Sequence, residues 1–210
     1  MKFKLRFLLP ILASLLVCSC ATTKLKSSWK SPDYQGGQLK KIAVLVVDDR
    51  ALVRQVFEGH TAGSLNRRGQ PAVQVRDYFS LPEIMESKGA AATKLREAGA
   101  DSVLVIRLVD APEKLEKRKP DSPNITMTGG SSEWFEYYIV AYSGNSMGVD
   151  LSSNTQHYYI EYTLYELSNE KRIWSCVTET NVKYNSDWLE LIKPLTTVVL
   201  DNMAKDGLIR

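Results

Sequence analysis

Only a few side chains in this sequence have the type and spacing that chemistry requires. The chain holds two histidines, His60 and His157. His157 stands four residues before Glu161, a spacing that on a helix would let both side chains hold one metal ion. The run 155–167 is aromatic and β-branched, however, and predicts a strand, along which four residues span about 13 Å. We therefore expect neither a metal site nor a cofactor.

Nucleophilic catalysis has equally little support. Alternation along the predicted strand 171–181 places Cys176 beside Trp174 and Thr178 on one face, where the thiol is expected to be buried and inert. His60 lies near the apolar face of a predicted helix, which is typical of a packed histidine. The sequence has no Walker loop, nucleophile elbow, dinucleotide fingerprint or zincin motif. We expect a protein that has no catalytic residues and is not an enzyme.

The beginning of the chain carries the clearest functional signal. Three basic residues precede an apolar stretch of 11 residues, Phe7 to Val17. That length suits the apolar region of an export signal and falls short of the roughly 20 residues that cross a bilayer as a helix. The small residue Ser19 then stands directly before Cys20. We predict a signal peptide over residues 1–19.

The segment Val17-Cys18-Ser19-Cys20 resembles the lipobox of bacterial lipoproteins. The resemblance implies cleavage before Cys20 and acyl chains, such as palmitate, on its sulfur and its new amino group. Two or more acyl chains make membrane attachment lasting. Ala21, where an aspartate would signal retention, implies transfer to the outer membrane, with the domain facing the periplasm. The alternatives are an ordinary secretory signal and an uncleaved anchor.

Charge and cysteine content change once the predicted signal is removed. Removal leaves 24 Lys and Arg against 24 Asp and Glu, so the chain lacks the basic excess of nucleic-acid binders, and no such partner is expected. Cys176 is then the one cysteine assigned to neither signal nor lipid, which excludes an intramolecular disulfide. Residues 20–39 have the composition of a linker and predict a lipidated tether that reaches roughly 60 Å when extended. Residues 40–210 predict one periplasmic domain.

The hydrophobic periodicity predicts an α/β fold, in the form of a two-layer α+β domain with a mixed sheet. The first half reads β-α-β-α-β, and crossover helices of this kind imply parallel strands. Three antiparallel strands and a C-terminal helix follow, with a kink or break expected at Pro194 inside that helix. The predicted elements span 41–47, 52–68, 72–76, 82–98 and 102–109 in the first half, and 133–142, 155–167 and 171–181 before the last helix.

One candidate binding site lies at the carboxyl end of the predicted parallel strands. Asp48 and Asp49 end the first strand, and the long segment 110–132 follows the third. Open α/β sheets usually bind ligands at this end. The alternative is a solvated loop with Asp49 as a helix N-cap.

Aromatic residues crowd the predicted antiparallel strands and provide a second candidate. An exposed aromatic sheet face would mark a surface for a partner or ligand, whereas burial of both faces is the alternative. The candidate residues for ligand or partner binding, from both sites, are Asp48, Asp49, Trp134, Tyr137 and Tyr159.

Stretches spread over most of the chain also carry a family resemblance. They are Ser27-Ser28-Trp29 with Pro32 and Tyr34, Gly99-Ala100-Asp101 before Val103-Leu104-Val105, Leu164-Tyr165, Trp174-Ser175 with Thr178-Glu179-Thr180, and Asp206-Gly207-Leu208. Together they resemble a family of uncharacterised bacterial lipoproteins that carry a domain of unknown function. The resemblance implies an α/β domain anchored in the envelope and supplies no catalytic residue. Segment 110–132 departs from the Gly/Tyr-rich loops of that family.

These observations predict a membrane-anchored periplasmic lipoprotein that acts as a non-enzymatic binding or envelope-assembly component. We expect the membrane, through Cys20, and an envelope protein as its partners. The alternative is a binder of a small molecule or glycan at the carboxyl end of the sheet.

Overall fold

The computed structural model of this chain describes residues 22–48, 50–80, 83–84, 90–109, 155–183 and 188–210. These residues form six strands and three α-helices, together with a short 3₁₀ turn over Val75–Asp77. In chain order the elements are β1 (Thr22–Lys30), β2 (Ile42–Val47), α1 (Ala51–Arg67), β3 (Ala72–Gln74), α2 (Ala90–Glu97), β4 (Ser102–Val109), β5 (Thr155–Glu166), β6 (Arg172–Lys183) and α3 (Trp188–Lys205).

The six strands form one mixed sheet in the order β1-β6-β5-β4-β2-β3. Strand β2 is parallel to both β3 and β4, whereas the pairs β4-β5, β5-β6 and β1-β6 are antiparallel. This arrangement confirms the predicted mixed sheet, with its parallel first half and its C-terminal helix. The predicted strand 133–142 lies outside the described residues.

Helices cover both faces of the parallel part of the sheet. All six residues of β2 are buried, as its uninterrupted apolar sequence predicts. On one face, Val53 and Phe57 of α1 and Leu195 of α3 pack in one apolar cluster with alternate residues of β2, β4, β5 and β6. On the other face, Leu95 of α2 packs in a second cluster with the remaining residues of β2 and β4.

The prediction of a tether over residues 20–39 is wrong for Thr22–Lys30, which form the edge strand β1. β1 pairs with β6 from Thr22 opposite Asn181 to Lys30 opposite Trp174. Its side chains also reach α3, because the Ser28 hydroxyl donates to Asn202 Oδ1 at 2.7 Å. The segment was mistaken for a linker because an edge strand with a solvated face has a polar sequence.

Three local positions show how single residues shape the turns and helices of this fold. Gly99 closes α2 with a φ of 81°, a conformation that favours glycine at a helix C-cap. In the β5-β6 turn the left-handed residue is Glu170, with a φ of 60°. Asn169 instead accepts a hydrogen bond from the Lys171 amide at its side-chain oxygen. Of the kink or break predicted at Pro194, the break does not occur, because α3 continues through this residue.

We expect hydrogen exchange to distinguish the strand from a tether. Amides of β1 that donate to β6 should exchange far more slowly than those of an unstructured chain, since each exchange event requires the strand to open. Mass spectrometry of the peptide that covers Thr22–Lys30 measures this protection, with the same peptide from unfolded protein as the control. Exchange of the whole peptide at the unfolded rate would contradict the strand.

Candidate functional site

The strand registers bring several features to one end of the sheet. β2 and β4 both finish there, because they are parallel and Val47 lies opposite Arg107. β5 starts at that end, with Tyr159 opposite Val109. β1 also begins there, since Thr22 is opposite Asn181 of β6, which in turn is opposite His157 of β5. We call this the carboxyl end of the sheet, after β2 and β4.

Asp48 lies at this end, where the sequence placed it, and it is held by neighbouring arginines. Its carboxylate is buried, with Oδ1 accepting from the backbone N and Nε of Arg50 at 2.9 Å each and Oδ2 accepting from Arg50 Nη2 at 2.7 Å. Its carbonyl oxygen accepts from Arg54 Nη1 at 2.7 Å. The carboxylate is therefore neutralised within the chain and stabilises the turn into α1.

A small pocket opens beside this ion pair. Its walls are formed by apolar residues of β2, β4, β5 and both long helices, with the Asp48–Arg50 pair at one side. The lining residues are Val46, Val47, Asp48, Arg50, Val53, Phe57, Ile106, Arg107, Leu108, Ile160 and Leu191. The accessible volume of the pocket is about 20 Å³, enough for about one water molecule, so a larger ligand could enter only if the lining side chains moved.

Glu58 is a buried acid that the sequence reasoning missed. Its carboxylate accepts from the backbone N of Val46 at 3.0 Å and of Arg76 at 3.1 Å. Burial raises the pKa of Glu58 to about 7, against the lowering effect of those two hydrogen bonds and of the charges on Arg76 and Arg54. The available signal was its position next to Phe57, on the buried side of α1.

Tyr159 belongs to a polar cluster that joins three strands. Its hydroxyl donates to Glu179 Oε1 at 3.1 Å, and His157 Nδ1 lies 3.5 Å from the same oxygen. Lys26 Nζ of β1 lies 3.1 Å from Glu179 Oε2. The hydrogen bond from Lys26 is the main cause that lowers the pKa of Glu179, whereas burial and then the bond to Glu179 raise the pKa of Tyr159.

The structure separates the two described candidate residues. Asp48 follows β2 and Tyr159 lies on β5, with β4 between those strands. Asp49, Trp134, Tyr137 and Cys20 lie outside the described residues. Of the described aromatic residues, Tyr162, Tyr165 and Trp174 are buried in the apolar clusters, as the alternative of two covered faces predicts for them.

The structure shows the surroundings of Cys176 and His157, the two residues whose side-chain chemistry the sequence raised. Cys176 is buried, and desolvation raises the pKa of its thiol well above the usual range, which keeps it protonated. His157 contacts Glu179 and lies on a strand, as predicted. Within the described ranges, no group of three or more His, Cys, Asp or Glu side chains is arranged to hold a metal ion.

Within the part of the chain that the structure describes, no helix is both long enough and apolar enough to span a membrane.

The buried Glu58 carboxyl predicts a pH dependence of stability. Its folded pKa of about 7 is above the ordinary value of 4.5, so the folded state holds the proton more tightly than the unfolded state. The stabilisation is complete below about pH 4.5 and is lost as the pH rises through 7, by up to about 3 kcal/mol. Urea unfolding between pH 5 and 8 measures this decline.

The matched control for this measurement is Glu58→Gln. The amide cannot titrate, and its NH₂ group faces one of the two backbone N–H donors, so the variant should be less stable by about 1–3 kcal/mol at pH 5. Its free energy of unfolding should decline less between pH 5 and 8 than that of the wild type. An equal decline in both proteins would show that another group titrates.

No protein-family model and no curated protein sequence matches this chain. The resemblance to one lipoprotein family therefore stays a prediction. Among solved structures, the PelC dodecamer from Paraburkholderia phytofirmans is similar with a TM-score of 0.43 and 13% identity, over 90% of this chain and 99% of that chain. The lipoprotein GNA1162 from Neisseria meningitidis is similar with a TM-score of 0.42 and 13% identity, over 79% of this chain and 98% of that chain.

Proposed function

We propose that this chain is a lipid-anchored envelope protein whose domain binds a partner protein and performs no reaction. The observation that carries the proposal is the short distance along the chain between the predicted lipid site and the sheet. Cys20 precedes Thr22, the first residue of β1, by only two residues. Two extended residues span at most about 7 Å, so a lipid on Cys20 would hold the sheet close to the membrane.

The pairing of β1 with β6 would connect the predicted anchor directly to the core of the domain. On β1, Lys30 Nζ donates to the carbonyl oxygen of Asp206 at 2.7 Å. Trp174 of β6, fully buried, donates from its indole N–H to Asp206 Oδ2 at 2.8 Å. The anchored strand is thus fastened both to β6 and to the end of α3, and a partner bound to the domain would be held at the membrane with it.

A non-enzymatic role agrees with the state of the reactive groups. Cys176 is a protonated, buried thiol, and the Asp48 carboxylate already has its charge partner in Arg50. Both groups stabilise the fold in these positions. Neither has the accessible, activated form that nucleophilic or acid–base catalysis needs.

We propose the cluster of Tyr159, His157, Glu179 and Lys26 as part of the partner surface. It lies on the sheet face opposite α1 and α3, because Tyr159 alternates with the core residue Ile160. The cluster offers an aromatic ring, an acid and two nitrogen-bearing groups within one patch. Tyrosine is enriched at protein interfaces, and charged groups such as those around Tyr159 are found at the polar rim of an interface.

The second candidate function is the binding of a small molecule in the pocket beside Asp48, which would have to open to admit it. Its lining is mostly apolar and includes three charged residues, Asp48, Arg50 and Arg107. A ligand that co-purifies with monomeric protein, and is lost when Val53→Trp fills the pocket, would support this function. A partner protein recovered without any such ligand favours the first.

Replacement of the predicted lipid site tests the anchor. We expect Cys20→Ala to abolish labelling by a radioactive or clickable fatty acid and to move the protein from the membrane to the soluble fraction of lysed cells. Cys18→Ala is the matched control, since this cysteine would leave with the signal peptide, and it should remain membrane-bound. Persistent lipid labelling of the Cys20→Ala protein would refute the assignment.

Photo-crosslinking in intact cells tests the partner surface. A photoreactive phenylalanine at Tyr159 should give one dominant adduct with an envelope protein, and the adduct should decrease in the Cys20→Ala background. The same probe at Tyr78, an exposed tyrosine near β3 at the other edge of the sheet, is the control and should give less of this adduct. Equal adduct patterns at both sites would contradict a specific surface around Tyr159.

A further inference from the structure

The exposed large apolar side chains of the described residues are unevenly distributed over the molecule. Four are exposed by more than a third: Leu25, Leu52, Tyr78 and Leu189. Leu52, the second residue of α1, is 63% exposed. Exposed leucines that gather in one region mark an interaction surface, whereas scattered ones need no explanation.

The topology places the three leucines at the carboxyl end of the sheet. Leu52 is the second residue of α1, which begins directly after β2 ends. Leu189 is the second residue of α3, which follows the end of β6 at the same edge. The strand registers bring Leu25 of β1 level with Leu108, close to the end of β4. The fourth residue, Tyr78, comes after β3, which is parallel to β2 and ends on the same side.

The opposite end of the sheet has a different character. It carries the β5-β6 turn with the exposed Asn169, the Lys40 and Lys41 region and Asp101, which accepts hydrogen bonds from both of those lysine amides. Among the described residues, none of the exposed large apolar side chains lies there. The described part of the chain is therefore amphipathic along the direction of its strands.

The predicted lipid site, Cys20, comes two residues before Thr22, which lies at the carboxyl end. Strand β1 runs away from the carboxyl end, so Thr22 marks the point where the preceding residues reach the sheet. The two residues back to Cys20 are too short to carry the acyl chains past the domain to its polar end, because β5 alone, with 12 residues, is about 40 Å long. The anchor and the exposed leucines thus meet the same surface.

We infer that the carboxyl end of the sheet lies against the membrane leaflet that holds the anchor, with Leu25, Leu52 and Leu189 in contact with the lipid interface. The inference rests on the proposed lipid anchor and adds the orientation of the domain. The occupant of this surface is a bilayer and not a second protein, because the chain places acyl chains beside it.

Site-specific quenching tests this orientation in the lipidated, full-length protein. Single cysteines introduced by Leu52→Cys, Leu189→Cys and Asn169→Cys are labelled with a fluorophore after reconstitution in phosphatidylethanolamine–phosphatidylglycerol vesicles. The label should react selectively at the new residue, since Cys20 carries lipid and Cys176 is buried. Positions 52 and 189 are exposed, so their substitution should leave the core unchanged.

Lipids with a nitroxide near the headgroup should quench the label at positions 52 and 189 and leave the label at position 169 unquenched. Mass spectrometry of the N-terminal peptide measures its acyl content. This measurement tests the lipid anchor separately from the orientation of the domain.

Each other outcome has a defined meaning. A lipidated, vesicle-bound protein that is quenched at position 169, or at none of the three positions, overturns the orientation and leaves the anchor intact. A protein without acyl chains that does not bind vesicles overturns both. Quenching at positions 52 and 189 without acylation would support the membrane surface and refute the anchor.

Discussion

Burial of β2 on both faces is the constraint on which the rest of the fold depends. Its six residues carry no polar side chain and are at most 3% exposed, so the sheet must be covered from both sides at this strand. Helices α1 and α3 provide one cover and α2 the other. The flanking strand β3 is too short to pair with all of β2, since their pairing ends at Val44 opposite Gln74.

The Glu58 carboxylate accepts the hydrogen bond of a β2 amide that β3 is too short to pair. One oxygen accepts from the Val46 amide and the other from the Arg76 amide, so a side chain of α1 replaces a strand hydrogen bond at a buried position. A buried amide without a partner costs about 1–3 kcal/mol, which explains why an acid is retained inside an apolar helix face despite the cost of its desolvation. The same acid makes the stability of this edge sensitive to pH.

The sequence correctly predicted the buried strands β2 and β4 and missed the exposed edge strand β1. The runs at 41–47 and 102–109 indicated β2 and β4 correctly, because burial on both faces removes polar residues from a strand. β1 has no fully buried residue, and an edge strand of this kind has the same Thr, Lys and Ser content as a linker. Its pairing with β6 is a contact between residues about 150 positions apart, which local composition cannot report.

For the candidate site, the sequence likewise predicted positions along the strands but not the contacts between side chains. The position of Asp48 at the end of a parallel strand followed from periodicity alone, whereas its bidentate contact with Arg50 required the geometry of the turn. Tyr159 was selected as one of many aromatic residues, but its contact with Glu179 depends on the register of β5 and β6. Leu52 fits the helical apolar period and is nevertheless exposed, because it lies in the first turn of α1, beyond the end of the sheet that would cover it.

The orientation inferred for the domain also constrains the alternative function. The pocket beside Asp48 is lined by residues near the ends of β2 and β4, which would lie close to lipid in this orientation. A ligand larger than one water molecule would have to displace lining side chains and enter between the domain and the bilayer, so this function is the less favoured one. The Tyr159 cluster lies at the same end, since Tyr159 is opposite Val109 and His157 is level with Thr22, but on the sheet face opposite α1 and α3. With the domain in this orientation, the partner surface adjoins the lipid-facing end, and a bound protein would contact the domain close to the bilayer.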